Sequence, residues 1–248
     1  MVVRNQAEGL KLLSELGIIM NGMNFHHVHE SESHFVGEKN VSYSWGSDND
    51  QDQKYVNLCT VEGTGEVESV YVQDDSSQGK EVKISLVDAR LRAQQFIQKY
   101  LQKGQTEVQI VVYPSYSEMA PDWVDKSKLT KEEMPDARIS FQFYPLHQGI
   151  PVRDSNYSVV IDQTNGKVVQ FSLQAMDPSV TLPDAQRVVA AEAAKQEYLK
   201  NNPLQLAYIW PEWHEQKGPA PYLVYMPYIS VGWSYIDALI GKTIVVEE

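Results

Sequence analysis

Four histidines lie close together near the start of the chain, in the run FHHVHESESH. Imidazole nitrogens bind zinc, so His27, His29 and His34, together with a neighbouring glutamate, would form a metal site able to support hydrolysis. Alternation along a strand places His27 and His29 on one face and His26 on the other. The spacing is not that of an HExxH helix, because the second histidine of that motif would fall at Ser33. A solvated polar strand accounts for the same residues, so both interpretations stay open at this point.

A second cluster of possible metal ligands is acidic. Asp48, Asp50 and Asp52 have the D-x-D-x-D spacing that begins a calcium-binding loop, in which oxygen ligands surround the ion. Gln53 stands where such a loop needs glycine, and Cys59 stands where it needs glutamate. We therefore predict a solvated turn and no cofactor. Cys59 is the one cysteine of the chain, which excludes an internal disulfide, and its strand-like surroundings predict a buried, unreactive thiol.

Aromatic side chains are concentrated near the end of the chain. Tyrosine and tryptophan suit recognition surfaces because they bury a large area while keeping a polar group at the tip. Strand alternation would also send about half of them into a core, so core packing and a peptide-binding face are both open. One further tryptophan, in the long connection of residues 114–136, either anchors a partner or fixes that connection. The candidate partner-binding residues are Trp123, Tyr208, Trp210, Trp213, Tyr222 and Tyr225.

The net charge limits the possible partners. The 33 acidic and 21 basic residues leave a net charge of −12, so nucleic acid and anionic membrane surfaces would be repelled and a cationic peptide or protein attracted. No apolar run reaches about 18 residues, which predicts no membrane insertion. The chain begins without the apolar core of a secretory signal. We therefore expect a cytoplasmic protein as written, or one of the cell envelope or secreted medium if a leader has been removed.

Three helices are predicted from capping signals and amphipathic stripes. A capping side chain precedes a carboxylate by three residues at Asn5, Ser85 and Thr181, which is the reciprocal pattern of a helix start. Apolar residues with helical spacing follow each of these points, as in the stripe that includes Leu86, Ala93 and Ile97. The stripes supply most of the stability, because a single cap contributes only about 1 kcal/mol.

Strands follow each predicted helix. The clearest are in residues 137–176, an antiparallel meander that turns at Gln148-Gly149 and at Asn165-Gly166. The pattern I-D-x-x-x-G-K begins at Ile161 and again at Ile236, and we expect its aspartates to bind backbone amides of the turn, without a catalytic role. This order predicts an α+β fold of repeated units, each with one helix packed on an antiparallel sheet of three to four strands. The predicted units are residues 1–80, 81–178 and 179–248.

The middle unit carries three motifs in order: SLVDA at residues 85–89, FxFY followed by HQGIPV within residues 141–152, and VIDQTNGKV at residues 160–168. Together they resemble the YcdB/YcdC repeat domain, a family similar to PepSY domains. The resemblance is best over residues 85–178. Residues 181–248 resemble half of a PepSY-like repeat, and residues 5–75 look like a more divergent copy.

The resemblance implies helices packed on antiparallel sheets, and it implies no active-site residue. PepSY-containing proteins include propeptides of thermolysin-type proteases, in which the domain is associated with peptidase inhibition. We therefore predict a non-catalytic module, not an enzyme, that binds a protein or peptide and regulates a peptidase. Two alternatives stay open: a structural component whose units assemble edge to edge, and a metal-dependent hydrolase built on the cluster from His26 to His34. The partner and the oligomeric state are left open.

Overall fold

The fold class is α+β, as predicted, and the strand pairs are antiparallel. In a computed structural model, the described residues are 1–18, 20–32, 39–47, 54–73, 77, 79–101, 107–113, 121–129, 136–153, 155–177, 179–228 and 233–246. The chain divides into two compact units. The larger unit is formed by Met1–Ala120 and Lys128–Val180, and the smaller unit by Pro121–Ser127 and Thr181–Glu248.

The described part of the larger unit contains two helices and a nine-stranded sheet. The elements are α1 (Gln6–Glu15), β1 (Met23–Glu32), β2 (Lys39–Ser47), β3 (Tyr55–Val61), β4 (Val67–Gln73), α2 (Leu86–Ile97), β5 (Val108–Tyr113), β6 (Arg138–His147), β7 (Ile150–Pro151), β8 (Asn156–Asp162) and β9 (Lys167–Gln174). The predicted caps of the two helices are confirmed, because the side chains of Asn5 and Ser85 accept hydrogen bonds from the backbone N–H of Glu8 and Asp88.

The strand order of this sheet is symmetrical about its centre. The order is β1-β2-β3-β4-β9-β8-β6-β5, with β7 attached to β6. β4 and β9 meet in the middle, where Ser69 lies opposite Ser172 and Val70 lies opposite Phe171. Apart from β7, four strands therefore lie on each side of this junction, and the last strand of the first set pairs with the last strand of the second.

The core covers one face of the sheet. Strand alternation buries Phe141, Phe143 and Phe171 on this face, and both helices contribute residues to the same apolar cluster. The ring of Phe96 in α2 lies 5.1 Å from that of Phe171, centroid to centroid. The opposite face carries smaller polar residues such as Ser158 and the two serines of the junction. The helices and the central strands thus bury a common apolar cluster.

One turn geometry recurs at three points of the chain. The backbone N–H groups of Gly65, Gly166 and Gly241 each donate to the carbonyl oxygen four residues earlier, at 2.9, 2.6 and 2.8 Å. The three glycines have φ angles of 70°, 77° and 67°, a region that glycine adopts without steric cost. Asp162 and Asp237 accept hydrogen bonds from backbone N–H groups two residues on, so the predicted structural role of these aspartates is confirmed.

The smaller unit consists of one α-helix and short hairpins in its described residues. The elements are α3 (Ala191–Asn201), β10 (Leu204–Ile209), β11 (Glu212–Trp213), β12 (Gln216–Lys217), β13 (Tyr222–Pro227), β14 (Trp233–Ile236) and β15 (Thr243–Val246). β10 pairs with β13, β11 with β12, and β14 with β15. α3 lies against β14 and β15 and has no fully buried residue.

The predicted start of the third helix at Thr181 is wrong. Asp184 caps a single 3₁₀ turn at Ala185–Arg187, and α3 begins only after Ala190, without a side-chain cap. The reason is that the backbone N–H of Val189 donates to the carbonyl oxygen of Ala238, at 2.8 Å, which holds the chain extended there. β-branched valine also favours an extended backbone over a helix.

Candidate functional site

The hairpin of β10 and β13 exposes apolar side chains on one face. Leu206 lies opposite Tyr225, and Tyr208 lies opposite Leu223. Leu204 points to the same side, because side chains alternate along a strand. More than half of the surface of each residue is exposed, with 77% for Tyr208 and 72% for Tyr225. We call these five residues the hairpin face.

The segments that form this hairpin carry no charge. Residues 203–211 and 218–236 contain no Asp, Glu, Lys or Arg. A contiguous apolar surface of this kind binds by removing its side chains from water, and it gains little from ion pairing. The chemistry available at the hairpin face is therefore apolar and aromatic contact, with two tyrosine hydroxyls as polar groups.

The edges of the hairpin offer backbone groups as well. Within the described residues, β10 and β13 pair only with each other. A two-stranded sheet is only marginally stable by itself, and an added strand would bind the backbone N–H and C=O groups at either edge. The hairpin can therefore receive an extended peptide along an edge while its face contacts the peptide's side chains.

Tyr222 and Trp210 lie beside the hairpin face and not on it. Tyr222 is opposite Ile209 on the other side of the hairpin and is half exposed. Trp210 follows β10, and its Nε1 donates to the carbonyl oxygen of Gly218 at 2.7 Å. Its polar atom is thus satisfied while about half of its surface remains exposed. Trp210 can extend a contact that begins at the hairpin face, whereas Tyr222 is available only on the opposite side of the hairpin.

Part of the long connection between β5 and β6 belongs to the smaller unit. The backbone N–H of Asp125 donates to Oε1 of Gln216 at 2.8 Å, and Nε2 of Gln216 donates back to the carbonyl oxygen of Asp125 at 3.2 Å. Trp123 lies so close to Gly218 that a Cβ on this glycine would be 3.3 Å from its Cε2 atom. These contacts hold residues 121–127 against the β11–β12 hairpin. They favour the interpretation of Trp123 as the residue that fixes the connection.

The turn between β11 and β12 has an unusual backbone. His214 and Glu215 have φ angles of 44° and 59°, although neither is glycine. Two-residue hairpin turns need such angles, but an L-residue pays roughly 1–2 kcal/mol for them. Trp213, the preceding residue, is partly buried and its ring contacts that of His214, 5.8 Å away, edge to face. The strained turn belongs to the same hairpin that residues 121–127 contact through Gln216.

His26, His27 and His29 lie on the face of the larger sheet opposite the core. His27 is opposite Ser44, and the side chains of His27 and His29 lie on the same side of β1. A β-bulge lies just before His27. A Cβ on Gly46 would be 2.5 Å from Cε1 of His26, so the His26 ring lies on the side of the sheet to which that Cβ would point. The prediction that His26 faces the other side is therefore wrong, because the bulge adds one residue and shifts the alternation.

The described residues bring together no metal site from this cluster. His27 and His29 are exposed, whereas His34 lies outside the described residues, as does the acidic run that begins at Asp48. Among the residues that the structure describes, no group of three or more His, Cys, Asp and Glu is placed to hold a metal ion.

Cys59 lies on the same side of the sheet in a polar setting. Partial burial, together with the nearby Glu68 carboxylate, raises the pKa of the Cys59 thiol to about 11. Oε2 of Glu68 is 3.7 Å from the sulfur and accepts a hydrogen bond from Nδ2 of Asn40 at 2.8 Å. The thiol is therefore protonated at neutral pH, in agreement with the predicted low reactivity.

Comparison with known proteins relates the larger unit to one family. Residues 18–175 match the family described as the YcdB, YcdC repeated domain. The chain belongs to this family. The match begins well before residue 85, so it includes much of the segment that resembled only a divergent copy.

Among solved structures, this family member is similar to the Bacillus megaterium YpeB C-terminal domain, with 14% identity over 100% of each chain and a TM-score of 0.46. No curated protein matches the chain. No helix within the described ranges has the length and apolar character needed to cross a membrane.

The candidate residues are thus divided by the structure. Tyr208 and Tyr225 lie together on the hairpin face, and Trp123 lies at the docked connection. Sequence reasoning missed the three leucines of the hairpin face, because apolar residues in a strand are ordinarily assigned to a core. The uncharged runs around them are the signal that could have identified them.

Proposed function

We propose that this member of the YcdB/YcdC family is a non-catalytic module that binds a protein or peptide, and that the hairpin face is its binding surface. The observation that carries this proposal is the exposure of five apolar side chains on one side of the β10–β13 hairpin. Monomeric proteins rarely expose contiguous apolar surface unless a partner covers it.

The magnitudes are compatible with specific binding. Burying a leucine side chain contributes roughly 1.5–3 kcal/mol, and the hairpin face has three leucines besides its tyrosines. Association costs roughly 4–15 kcal/mol in lost freedom of motion. Backbone hydrogen bonds along a free edge of β10 or β13 would supply the remainder and fix the direction of the bound segment.

The proposal includes the finer architecture. We propose that the chain consists of three copies of one helix-then-strands unit, of which the third is the least covered. The recurrence of the glycine turn at Gly65, Gly166 and Gly241 supports this division. The resemblance to PepSY domains makes a thermolysin-type peptidase the first protein partner to try.

A pair of matched double variants tests the proposal. Tyr208→Ala/Tyr225→Ala removes the two tyrosines of the hairpin face, and Tyr71→Ala/Tyr113→Ala removes two exposed tyrosines from the larger sheet. Binding of immobilised ten-residue peptides with alternating aliphatic and aromatic residues is measured for both and for the wild-type chain. Hydrolysis of a fluorogenic peptide by thermolysin, with each protein added, forms a separate arm.

We expect the wild-type chain and the control to bind the same apolar peptides, and the hairpin variant to lose at least tenfold in affinity. Slowed thermolysin activity that depends on the same two tyrosines would support the peptidase role. Equal binding by all three proteins, or no binding at high micromolar concentration in either arm, would contradict the proposal.

A further inference from the structure

β15 has an open edge that the hairpin face does not involve. It pairs with β14 on one side, and no strand of the described residues pairs with its other side. β15 follows the turn at Gly241, as β4 follows Gly65 and β9 follows Gly166. β4 and β9 pair with each other, so the two strands that correspond to β15 both have a partner on the equivalent edge.

The correspondence can be made residue by residue. In the first half of the sheet, Val70 is opposite Leu58, which lies three residues before Val61, the first residue of the turn at Gly65. In the second half, Phe171 is opposite Val159, which lies three residues before Asp162, the first residue of the turn at Gly166. Val245 is opposite Ser234, which also lies three residues before its turn. β4 and β9 each contain a bulge, whereas the β14–β15 pair does not. We therefore identify equivalent residues by their cross-strand partners and not by their distance along the chain from the glycine.

The junction of β4 with β9 in the larger sheet has approximate local two-fold symmetry. Val70 lies opposite Phe171, and these are equivalent residues of the two halves. An antiparallel pair of equivalent strands has a two-fold axis through such a residue pair. The same arrangement between two identical strands places Val245 of one copy opposite Val245 of the other.

The backbone of β15 is oriented for this pairing. The N–H of Asp237 donates to the carbonyl oxygen of Lys242 at 2.9 Å, and the ladder continues with Ile244 opposite Tyr235. Alternation then directs the N–H and C=O of Ile244 toward β14 and those of Thr243 and Val245 toward the open edge.

The composition of this edge is also unlike that of a protected edge. β15 reads TIVV, which is β-branched throughout and carries no charge or proline. The outer strand β1 of the larger sheet reads MNFHHVHESE, and its acidic and imidazole groups discourage pairing. Val245 is 56% exposed.

We infer that β15 is a self-association edge: two copies of this chain pair β15 with β15, antiparallel, about a two-fold axis at Val245. The strand that pairs with β15 belongs to a second copy of this chain, because the junction of the larger sheet joins equivalent strands. β15 likewise presents the backbone N–H and C=O of the equivalent residue, Val245, at its open edge. This inference concerns a strand edge of the smaller unit and does not depend on the hairpin face.

Cysteine cross-linking under a mild oxidant tests the register. Directly opposite residues in an antiparallel pair have Cα atoms about 5.5 Å apart, within the range of a disulfide. Val245→Cys is therefore expected to give a covalent dimer as the main product. Ile244→Cys is the matched control, because its two copies would be about 8 Å apart at a rise of about 3.4 Å per residue. The wild-type chain, with Cys59 alone, is the blank.

Sedimentation velocity tests the association without a cross-link. Val245→Lys places two like charges opposite each other and is expected to weaken the dimer at least tenfold. Val28→Lys on β1, and the double variant Tyr208→Ala/Tyr225→Ala, should leave the dimer unchanged. Circular dichroism that matches the wild-type spectrum establishes that the variants are folded.

A wild-type chain that remains monomeric at 100 µM, cross-linking of Ile244→Cys as efficient as that of Val245→Cys, or a dimer indifferent to Val245→Lys would each overturn the inference. Loss of the dimer in the hairpin variant would show that the copies meet through the hairpin face instead, which also overturns it. None of these results affects the peptide-binding experiment, which can fail or succeed independently.

Discussion

The larger and the smaller unit both contain helices, antiparallel strands and the same type of glycine turn. In the described residues, only the larger unit joins its strands into one extended sheet. In the larger unit, β4 and β9 join two sets of four strands. Only 1% of the surface of Phe171, which lies at this junction, is exposed. In the smaller unit, the described strands form separate two-stranded pairs, and α3 buries no residue fully. The same type of glycine turn closes both.

Under the function that we propose, this difference separates stability from recognition. Three or more strands with a covered face are needed for independent stability, and only the larger unit meets this condition in the described residues. The smaller unit keeps its apolar side chains accessible and its strand edges open. We therefore interpret the larger unit as the scaffold and the smaller unit as the part that a partner or a second copy completes.

The largest expected contrast is between two aromatic truncations. Phe171→Ala removes a ring that packs against Phe96, and it should destabilise the larger unit by about 3–5 kcal/mol. Tyr225→Ala removes an exposed ring and should change stability by less than about 0.5 kcal/mol. Urea denaturation measures both. Comparable losses for the two variants would contradict the division into scaffold and recognition surface.

The docked connection gives the next effect. A Cβ on Gly218 would be 2.6 Å from Cγ of Pro211 and 3.3 Å from Cε2 of Trp123. Overpacking of this kind costs about 1–3 kcal/mol, so Gly218→Ala should release residues 121–127 and increase tryptophan exposure. Fluorescence quenching by acrylamide reports this change, with Ala220→Ser at a nearby exposed position as the control. Unchanged quenching would mean that the connection is not held at Gly218.

The strained turn should respond in the opposite direction. Glu215 has a φ angle of 59°, and Glu215→Gly should stabilise the β11–β12 hairpin by about 1 kcal/mol because glycine adopts this angle freely. Glu212→Gly in β11, where φ is not positive, should destabilise it instead. Thermal unfolding followed at the tryptophan signal distinguishes them. A destabilising Glu215→Gly would show that the glutamate side chain, and not the backbone, determines the turn.

A pH dependence is expected for the larger unit at alkaline pH. Partial burial raises the pKa of Cys59 from 9.0 to about 11, so the folded state retains its proton where the unfolded state loses it. This contribution is present in full below pH 9 and is lost as pH rises toward 11. Urea midpoints across this window should fall less steeply for Cys59→Ala than for the wild-type chain. Identical slopes would show that the thiol is freely solvated.

Local patterns predicted much of this fold. The caps at Asn5 and Ser85, the turn at Gln148-Gly149 and the strands of the meander follow from neighbouring residues alone, and Gln148 and Gly149 indeed have φ angles of 51° and 78°. The signals are local because caps and turns are satisfied within a few residues.

Long-range contacts account for what the sequence did not reveal. Asp125 and Gln216 are 91 residues apart, and no local pattern predicts their pairing. The junction of β4 with β9 rests on two residue pairs from different halves of the sheet. The hairpin face could be located only in part, because an exposed leucine and a core leucine look alike in a strand pattern.

Hydrogen–deuterium exchange of the free chain tests the central contrast most directly. The account predicts slow exchange for the backbone amides of β6, β8 and β9, because they open only when the larger unit unfolds. It predicts exchange that is faster by at least a hundredfold for β10 and β13, with added protection when an apolar peptide is bound. Equal protection of β10, β13 and the central strands in the free chain at low concentration would contradict the account.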